Sequence, residues 1–262
     1  MANQESTVRT LVVALLVCLV CSVFVAVAAV GLKPIQMENR LLDKQRSILN
    51  IAGLLQSGMS NQQVKTLYSE RIVAKVVDLK TGEFTDQFDP ERFDPLSAAK
   101  DPALSESLNT EDDIASIKRR ENYATVYLVE SDSGSLETVV IPVRGYGLWS
   151  TLYGFIALEK DLKTVKGFGF YQHGETPGLG GEVDNPRWLS QWPGKVVFDP
   201  NGNSVMEVVK GHVDTQGPNA MYQVDGLAGA TLTSNGVTHL LRFWLGEQGF
   251  GPFLAKLQAG EA

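Results

Sequence analysis

The residues best suited to chemistry in this sequence lie in three glycine-rich segments. They are residues 145–150 (GYGLWS), 173–181 (HGETPGLGG) and 225–236 (DGLAGATLTSNG). Glycine lets a backbone approach a ligand closely, and the hydroxyl, carboxylate and imidazole groups among these residues can bind one. No segment has the spacing of a G-x-G-x-x-G fingerprint or of a nucleotide triphosphate loop. Taken alone, the first two segments are more typical of ordinary turns.

The third segment leads directly into a predicted helix. Apolar residues follow it with the period of an amphipathic helix, at Val237, Leu240, Leu241, Trp244 and Leu245. Thr233 or Ser234 is placed to cap this helix, and Gly246 to end it. The free N–H groups at such a helix start favour an anion such as a phosphate, and the small Gly229 and Ala230 would let a bulky ligand reach the backbone. A capped helix without a ligand would have the same pattern.

The elements that must position these segments are predicted from the apolar period. The period is two in several short runs, at residues 123–130, 136–142, 154–158, 165–171, 195–198 and 205–209. Turn residues join two pairs of these runs, at 132–134 and 199–203. Strands with helices at both ends of the domain predict an α+β fold with an antiparallel sheet and flanking helices.

The segment before these strands has a different pattern. Apolar residues at helical spacing over 41–58 predict one helix, and Ser60 with Gln63 is a capping box that predicts a second. Residues 73–79 could end that second helix or start a strand. Residues 86–113 are rich in Asp and Glu and contain two Asp-Pro pairs, which indicates an irregular acidic arm. Its spacing does not match an EF-hand calcium loop.

Residues 10–32 carry no charge and are almost all apolar. As a helix they would span about 34 Å, enough to cross a bilayer core of about 30 Å. A cleaved signal peptide, ending at the small-residue pattern of residues 26–28, is the alternative, but the run is longer than a signal core. We therefore predict a short tail (1–9), one transmembrane helix (10–32), membrane-proximal helices with the acidic arm (33–120) and one soluble domain (121–262). Lys33-Pro34 marks the predicted exit from the span.

Composition excludes several classes of function. The 23 basic and 30 acidic residues give a formal charge of −7, which argues against nucleic-acid binding. The three histidines lie far apart, and two cysteines are too few for a four-thiolate cluster. Cys18 and Cys21 form a C-x-x-C inside the apolar span, where packing is the favoured role. The minority interpretation is a metal held between two copies of the motif.

The third segment then gives a family resemblance. Residues 225–231 (DGLAGAT) resemble the D-x-x-[ST]-G-A-T motif of the FMN-binding domain family, whose final threonine carries FMN through a phosphoester bond. The flanking residues 232–237, the loop 173–180, the single N-terminal span and the closing residues 243–254 are similar to C subunits of sodium-translocating NADH:quinone reductases. G subunits of the related Rnf complex share the motif and the topology.

The resemblance implies a binding site for covalently attached FMN. Thr231 would be the attachment residue, with Asp225, Gly229 and Ala230 in the same loop. Thr233 is the second choice of acceptor. Glu175, Thr176 and Leu179 would lie beside the isoalloxazine ring. Leu148 and Trp149 could pack there too, although a core position for the tryptophan is equally open. Ala228 stands where the motif usually has serine or threonine, which removes one hydroxyl near the phosphate but leaves that of Thr231.

The resemblance also implies a function. The chain would be an electron-transfer subunit of a complex that couples NADH oxidation and quinone reduction to sodium export, with no NADH site of its own. Its partners would be the other subunits, the membrane and, during maturation, a flavin transferase. The family places the domain on the periplasmic side of the bacterial inner membrane, whereas the basic residues after the span favour the cytoplasm by the positive-inside rule. The alternatives are the Rnf subunit and an anchored binding module without redox activity.

Overall fold

The computed structural model describes residues 6–131 and 134–261. The chain divides into two compact units, one ending at Asp43 and the other beginning at Lys44. Most of the turn predicted at 132–134 lies outside the described residues.

The described elements are six α-helices, ten strands and two short 3-10 helices, Gly180–Asp184 and Ala220–Tyr222. The helices are α1 (Thr7–Ile51), α2 (Asn61–Arg71), α3 (Pro95–Ala98), α4 (Pro186–Leu189), α5 (Thr231–Leu245) and α6 (Gly251–Ala259). The strands are β1 (Ile72–Asp78), β2 (Glu83–Thr85), β3 (Ser105–Ser107), β4 (Arg119–Glu121), β5 (Tyr123–Glu130), β6 (Leu136–Tyr146), β7 (Thr151–Glu159), β8 (Val165–Gln172), β9 (Glu207–Val208) and β10 (Gln223–Val224).

Helix α1 contains the predicted membrane span. Its most apolar 18-residue window has a mean hydropathy of 3.2 and is not buried, so α1 is long and apolar enough to cross a membrane. The prediction of a separate helix over 41–58 is wrong, because α1 continues through Pro34 to Ile51. A proline removes one backbone hydrogen bond from a helix. The residues on both sides of Pro34 are helical, so α1 is continuous across this position.

Six strands form one antiparallel sheet in the order β2-β1-β5-β6-β7-β8. Four of the six predicted strands, at 123–130, 136–142, 154–158 and 165–171, are confirmed as β5 to β8. The strand alternative for residues 73–79 is also confirmed, since β1 pairs with β5 along its whole length. The capping box holds, with Ser60 Oγ accepting from Gln63 N at 3.3 Å.

The predicted domain start at residue 121 does not coincide with a structural boundary. Strands β1 and β2 precede that residue and belong to the same sheet as β5. The acidic arm is mostly irregular, as expected, with α3 and β3 as its short regular elements. The sheet-bearing unit therefore begins at Lys44 and includes most of the segment predicted to lie beside the membrane.

The two predicted strands at 195–198 and 205–209 are largely replaced by irregular structure. Only the two-residue β9 forms there, with isolated bridges from Thr164 to Val196 and from Phe198 to Ser204. The carboxylate of Asp199 accepts the N–H groups of Asn201 at 2.9 Å and Asn203 at 2.8 Å. A side chain that satisfies the turn in this way competes with a regular ladder.

Both faces of the sheet are covered. Alternate residues of β5 to β7 join the main core with α5 and α6, for example Val126, Ile156 and Leu240. The residues between them in these strands point to the opposite face of the sheet. On that face the ring centroids of Tyr127 and Phe155 lie 5.9 Å apart, and Lys44 lies over the ring of Tyr127. The end of α1 and the buried side of α2 cover this second face.

Helix α5 lies against the end of β6 at backbone distance. A Cβ at Gly145 would lie 2.5 Å from Leu240 Cβ, and one at Gly236 would overlap the carbonyl oxygen of Tyr146. Two bare glycines therefore let the helix approach the strand, which places the first turn of α5 beside the 147–150 turn.

We predict that Gly236→Ala destabilises the protein by about 1–3 kcal/mol through overpacking against Tyr146. Helix propensity alone predicts the opposite sign, a gain of up to about 1 kcal/mol. The neighbouring exposed Asn235→Ala is the matched control and should change stability by less than about 0.5 kcal/mol. Thermal unfolding of the detergent-solubilised protein measures both, and a Gly236→Ala variant as stable as the wild type would contradict the close approach.

Candidate functional site

The carboxylate of Glu175 lies where the three glycine-rich segments meet. The residue is 5% exposed. Its two oxygens accept hydrogen bonds from Leu148 N (3.2 and 3.3 Å), Trp149 N (3.0 Å), Ser150 N (3.1 Å), Ser150 Oγ (3.1 Å) and Thr233 Oγ1 (2.8 Å). We call this arrangement the Glu175 junction. It joins the turn at 147–150 and the loop at 173–181 to the first turn of α5.

Two glycines make room for this carboxylate. A Cβ at Gly147 would lie 2.7 Å from Glu175 Oε1, and one at Gly180 would lie 2.7 Å from Oε2 and 2.6 Å from Thr233 Oγ1. Atoms at these distances would displace the carboxylate from its donors. Gly147 and Gly180, in two segments that taken alone are typical of ordinary turns, therefore make room for a buried side chain of the protein itself.

The junction keeps its carboxyl group ionised. Burial raises the pKa of Glu175, but the hydrogen bonds from the Thr233 hydroxyl and from the N–H groups of residues 148–150 outweigh it, so the pKa lies below its usual value. Hydrogen bonds to a charged acceptor are stronger than those between neutral groups. The junction is therefore a charged, almost dry link between three segments.

The N-terminus of α5 has no side-chain cap. Helix α5 begins at Thr231 after Ala230, whose side chain offers no acceptor. The prediction that Thr233 or Ser234 caps the helix is wrong, because both hydroxyls have other partners. That of Thr233 donates to Glu175, and that of Ser234 accepts from Leu227 N at 3.0 Å. The prediction that Gly246 ends the helix is confirmed.

The loop before α5 presents Thr231 to solvent. Ala230 N donates to Leu227 O at 3.1 Å, which closes a turn, and Gly229 within it has a φ of +71° that favours glycine. Ala230 is buried, whereas Gly229 and Thr231 are exposed. Thr233, in contrast, is 0% exposed. Of the two threonines considered as acceptors, only Thr231 has an accessible hydroxyl.

Asp225 fixes the start of this loop. Its carboxylate accepts from Val213 N at 2.8 Å and pairs with His212 Nδ1 at 3.0 Å. Its backbone carbonyl accepts from Trp188 Nε1 at 2.7 Å. Burial raises the pKa of Asp225, but the hydrogen bonds from His212 and Val213 outweigh it and lower it overall. These contacts tie the loop to its neighbours and do not direct the carboxylate at Thr231.

Exposed apolar side chains surround the junction. Trp149 is 68% exposed, Leu179 45% and Leu148 37%, so the core position considered for the tryptophan is wrong. Leu179 reaches Gly229, where a Cβ would lie 3.0 Å from Leu179 Cδ2. Thr176 is exposed, and its carbonyl oxygen accepts from the N–H groups of residues 179 and 181. The loop at 173–181 and the loop at 225–231 thus meet.

Sequence reasoning missed three residues at this site. Ser150 donates two hydrogen bonds to the carboxylate, and its position directly after the Gly-Leu-Trp turn was the available signal. Leu232 and Tyr146 are exposed apolar residues, at 58% and 46%. Leu232 could have been found as an apolar residue that falls outside the buried stripe of α5.

The remaining candidates do not bind the Glu175 carboxylate. Nδ1 of His173 accepts from the backbone N–H of Glu175 at 3.2 Å, and its Nε2 pairs with Asp184 at 2.7 Å, so the imidazole connects the loop at 173–181 to Asp184. Cys18 and Cys21 are both exposed on α1. Across residues 6–131 and 134–261, no group of three or more His, Cys, Asp or Glu side chains is placed to hold a metal ion.

We predict that Glu175→Gln destabilises the protein by about 1–3 kcal/mol near neutral pH, because an amide cannot accept all of these donors and loses the charge-assisted bonds. The folded-state pKa of Glu175 is lowered, so its contribution is complete above the unfolded pKa of about 4.3 and is lost as pH falls below it. The difference in unfolding midpoint between wild type and variant should therefore shrink in acid. A difference independent of pH between 7 and 3 would contradict this account.

Comparisons with known proteins agree on one family. The family model named FMN-binding domain matches residues 147–246, which include the junction and all of α5. The C subunit of a Na⁺-translocating NADH-quinone reductase from Pseudomonas aeruginosa is 68% identical over 262 residues, with full coverage of both chains. The protein of the same name from Yersinia pestis is 51% identical over 98% of this chain and 96% of its own length.

Solved structures share the fold. The crystal structure of Shewanella oneidensis NqrC has a TM-score of 0.76 and 39% sequence identity, covering 85% of this chain and 98% of that one. The C subunit of the reductase from Parabacteroides distasonis has a TM-score of 0.66 and 29% identity, covering 85% and 96%. The identities and the near-complete coverage show that the chain belongs to the family of Na⁺-translocating NADH-quinone reductase C subunits, with an FMN-binding domain at residues 147–246.

Proposed function

We propose that this chain is the electron-transfer subunit of a Na⁺-translocating NADH-quinone reductase and carries FMN on Thr231 through a phosphoester bond. The observation that carries the proposal is the contrast between two threonines within the matched FMN-binding domain. Thr231 is exposed at the uncapped start of α5, whereas Thr233 is fully buried and donates to Glu175. The Rnf and non-redox alternatives are not favoured, because the relatives from Pseudomonas aeruginosa and Yersinia pestis are reductase C subunits.

The start of α5 fits a phosphate group. The first N–H groups of a helix have no partner within it, and the positive end of the helix dipole favours an anion. Since no side chain caps α5, these donors remain available beside Thr231. Gly229 and Ala228 precede Thr231 as exposed, small residues that leave the approach open.

The exposed apolar side chains fit the flavin ring. Leu148, Trp149 and Leu179 would contact its faces, and Thr176 lies in the same loop as Leu179. The carboxylate of Glu175 is occupied by protein donors, so its role is to hold these residues in place. Asp225 would act in the same way on the loop before Thr231. Bound FMN supplies one- and two-electron chemistry, and the protein supplies its position and its electrostatic environment.

Covalent attachment suits a carrier that must stay accessible. A flavin exposed enough to exchange electrons with a partner buries little surface and would dissociate easily if held by contacts alone. The ester on Thr231 removes dissociation altogether. One helix forms no pore, so we assign NADH oxidation, quinone reduction and sodium conduction to the other subunits of the complex.

We propose further that the domain lies on the periplasmic side of the inner membrane, where a flavin transferase modifies Thr231. The attachment requires access to that enzyme. Long domains can cross a membrane regardless of nearby basic residues, so the charges after the span do not oppose this arrangement.

We predict that Thr231→Val abolishes the flavin fluorescence of the denatured protein band, because the side chain loses the only accessible hydroxyl of the pair. Thr233→Val is the matched control and should keep the fluorescent band, although loss of one donor to Glu175 should destabilise it by about 1–2 kcal/mol. Mass spectrometry of the peptide from matured wild type should show an increase equal to FMN minus water on Thr231. A Thr231→Val band that still fluoresces would contradict the assignment.

The proposed orientation predicts opposite labelling at the two ends of the span. In a background with Cys18 and Cys21 replaced by alanine, Asn201→Cys should react with a membrane-impermeant maleimide in spheroplasts, because residue 201 is exposed in a turn of the domain. Ser6→Cys, before the span, is the matched control and should react only after lysis. The reverse pattern would place the domain in the cytoplasm.

A further inference from the structure

The Glu175 junction places a negative charge with little solvent exposure at the proposed flavin site. At most positions in a protein a carboxylate is screened by water, but Glu175 is 5% exposed. Two bare glycines, Gly147 and Gly180, enclose it on sides where a side chain would otherwise stand. The hydrogen bonds around Glu175 therefore keep its carboxyl group ionised. No side chain fits at Gly147 or Gly180 beside it.

The charge lies against the first turn of α5, the helix that begins at the proposed attachment residue. Glu175 Oε2 accepts from Thr233 Oγ1 at 2.8 Å, and Thr233 follows Thr231 by two residues in the same helical turn. The same carboxylate binds the N–H groups of Leu148 and Trp149, whose side chains are exposed beside the junction. A ring tethered at Thr231 and resting on these side chains would thus lie near the carboxylate.

A fixed anion in such a place affects an electron acceptor. Adding an electron to a group near a negative charge is opposed by Coulomb repulsion, and this repulsion is strong where water is excluded. The five donors around Glu175 offset part of the charge through their dipoles. They do not cancel the charge, because the dipoles of these donors compensate only part of it.

We propose that Glu175 is a positioning residue that also sets the reduction potential of the flavin, holding the Leu148–Ser150 turn against α5 while its charge lowers that potential. This inference rests on the proposed function, because it requires FMN on Thr231. Its experiment separates the two: in-gel fluorescence reports attachment, and the potential reports the effect of Glu175.

The test compares variants of the flavinylated, detergent-solubilised full chain by spectroelectrochemical titration. Glu175→Gln keeps the shape and removes the charge. It should shift the equilibrium towards reduced flavin by about tenfold, which is about 30 mV for a two-electron couple. Asp214→Asn is the matched control, because it removes a charge from an exposed position of the same domain, where solvent screens it. This control should leave the potential unchanged.

Two further variants keep the proposal falsifiable if Glu175→Gln folds poorly. Glu175→Asp keeps the charge and shortens the side chain, so its potential should stay nearer the wild-type value. Thr233→Val keeps the charge and removes one compensating dipole, so it should shift the potential in the opposite direction to Glu175→Gln. An unchanged potential in Glu175→Gln, or shifts of the same sign in Glu175→Gln and Thr233→Val, would overturn the proposal.

The positioning role has a readout that does not depend on flavin. In the Thr231→Val background, which carries none, adding Glu175→Gln should lower the thermal midpoint and change the fluorescence of Trp149, because the turn loses its anchor. No change in either quantity would overturn the positioning role. Loss of the fluorescent band in Glu175→Gln with Thr231 intact would mean that the residue acts in attachment instead, and it would likewise overturn the proposal.

Discussion

The carboxylate of Glu175 has exchanged its hydration shell for five N–H and O–H donors, and the site depends on that exchange. Removing a carboxylate from water costs several kcal/mol unless hydrogen bonds replace what is lost. Here the replacements come from the turn at 147–150 and from Thr233. Moving either segment away would break hydrogen bonds to the charge, so electrostatics helps to hold a strand end, a loop and a helix start together.

The backbone donors of the site fall into two sets. The N–H groups of the 147–150 turn are used by Glu175. Those at the start of α5 are left without a side-chain cap. A phosphate at Thr231 would therefore meet donors that the protein has not already satisfied. Thr233 takes part in the first set through its hydroxyl, which explains why it is unsuited to the second.

Much of the architecture could be predicted from local patterns. Alternation over residues 123–171 predicts β5 to β8, because a strand packed on a core repeats every second residue. The stripe from Val237 to Leu245 predicts α5 in the same way. The short runs at 195–209 could not be predicted correctly, since Asp199 satisfies its turn locally. The pairing of β1 with β5 is long-range, and no local period encodes it.

The candidate site was predictable in its members but not in its connections. The segments were visible as glycine-rich runs, and Thr231 by resemblance. That the carboxylate of Glu175 binds Thr233, 58 residues away in sequence, could not be read from spacing. The cap prediction was wrong for the same reason, because the hydroxyls of Thr233 and Ser234 are used by tertiary partners that a helix rule does not consider.

The space around this carboxylate couples the substitutions that are tolerated at positions 147, 175 and 180. While residue 175 is a glutamate, any substitution at 147 or 180 places an atom within 2.7 Å of its oxygens. Shortening residue 175 would instead open a void beside Gly147, whose nearest neighbours are atoms of Glu175, while Gly180 would still be confined by Thr233 Oγ1. A single substitution at any one of these positions is therefore unfavourable. The arrangement can be replaced only when several of them change together.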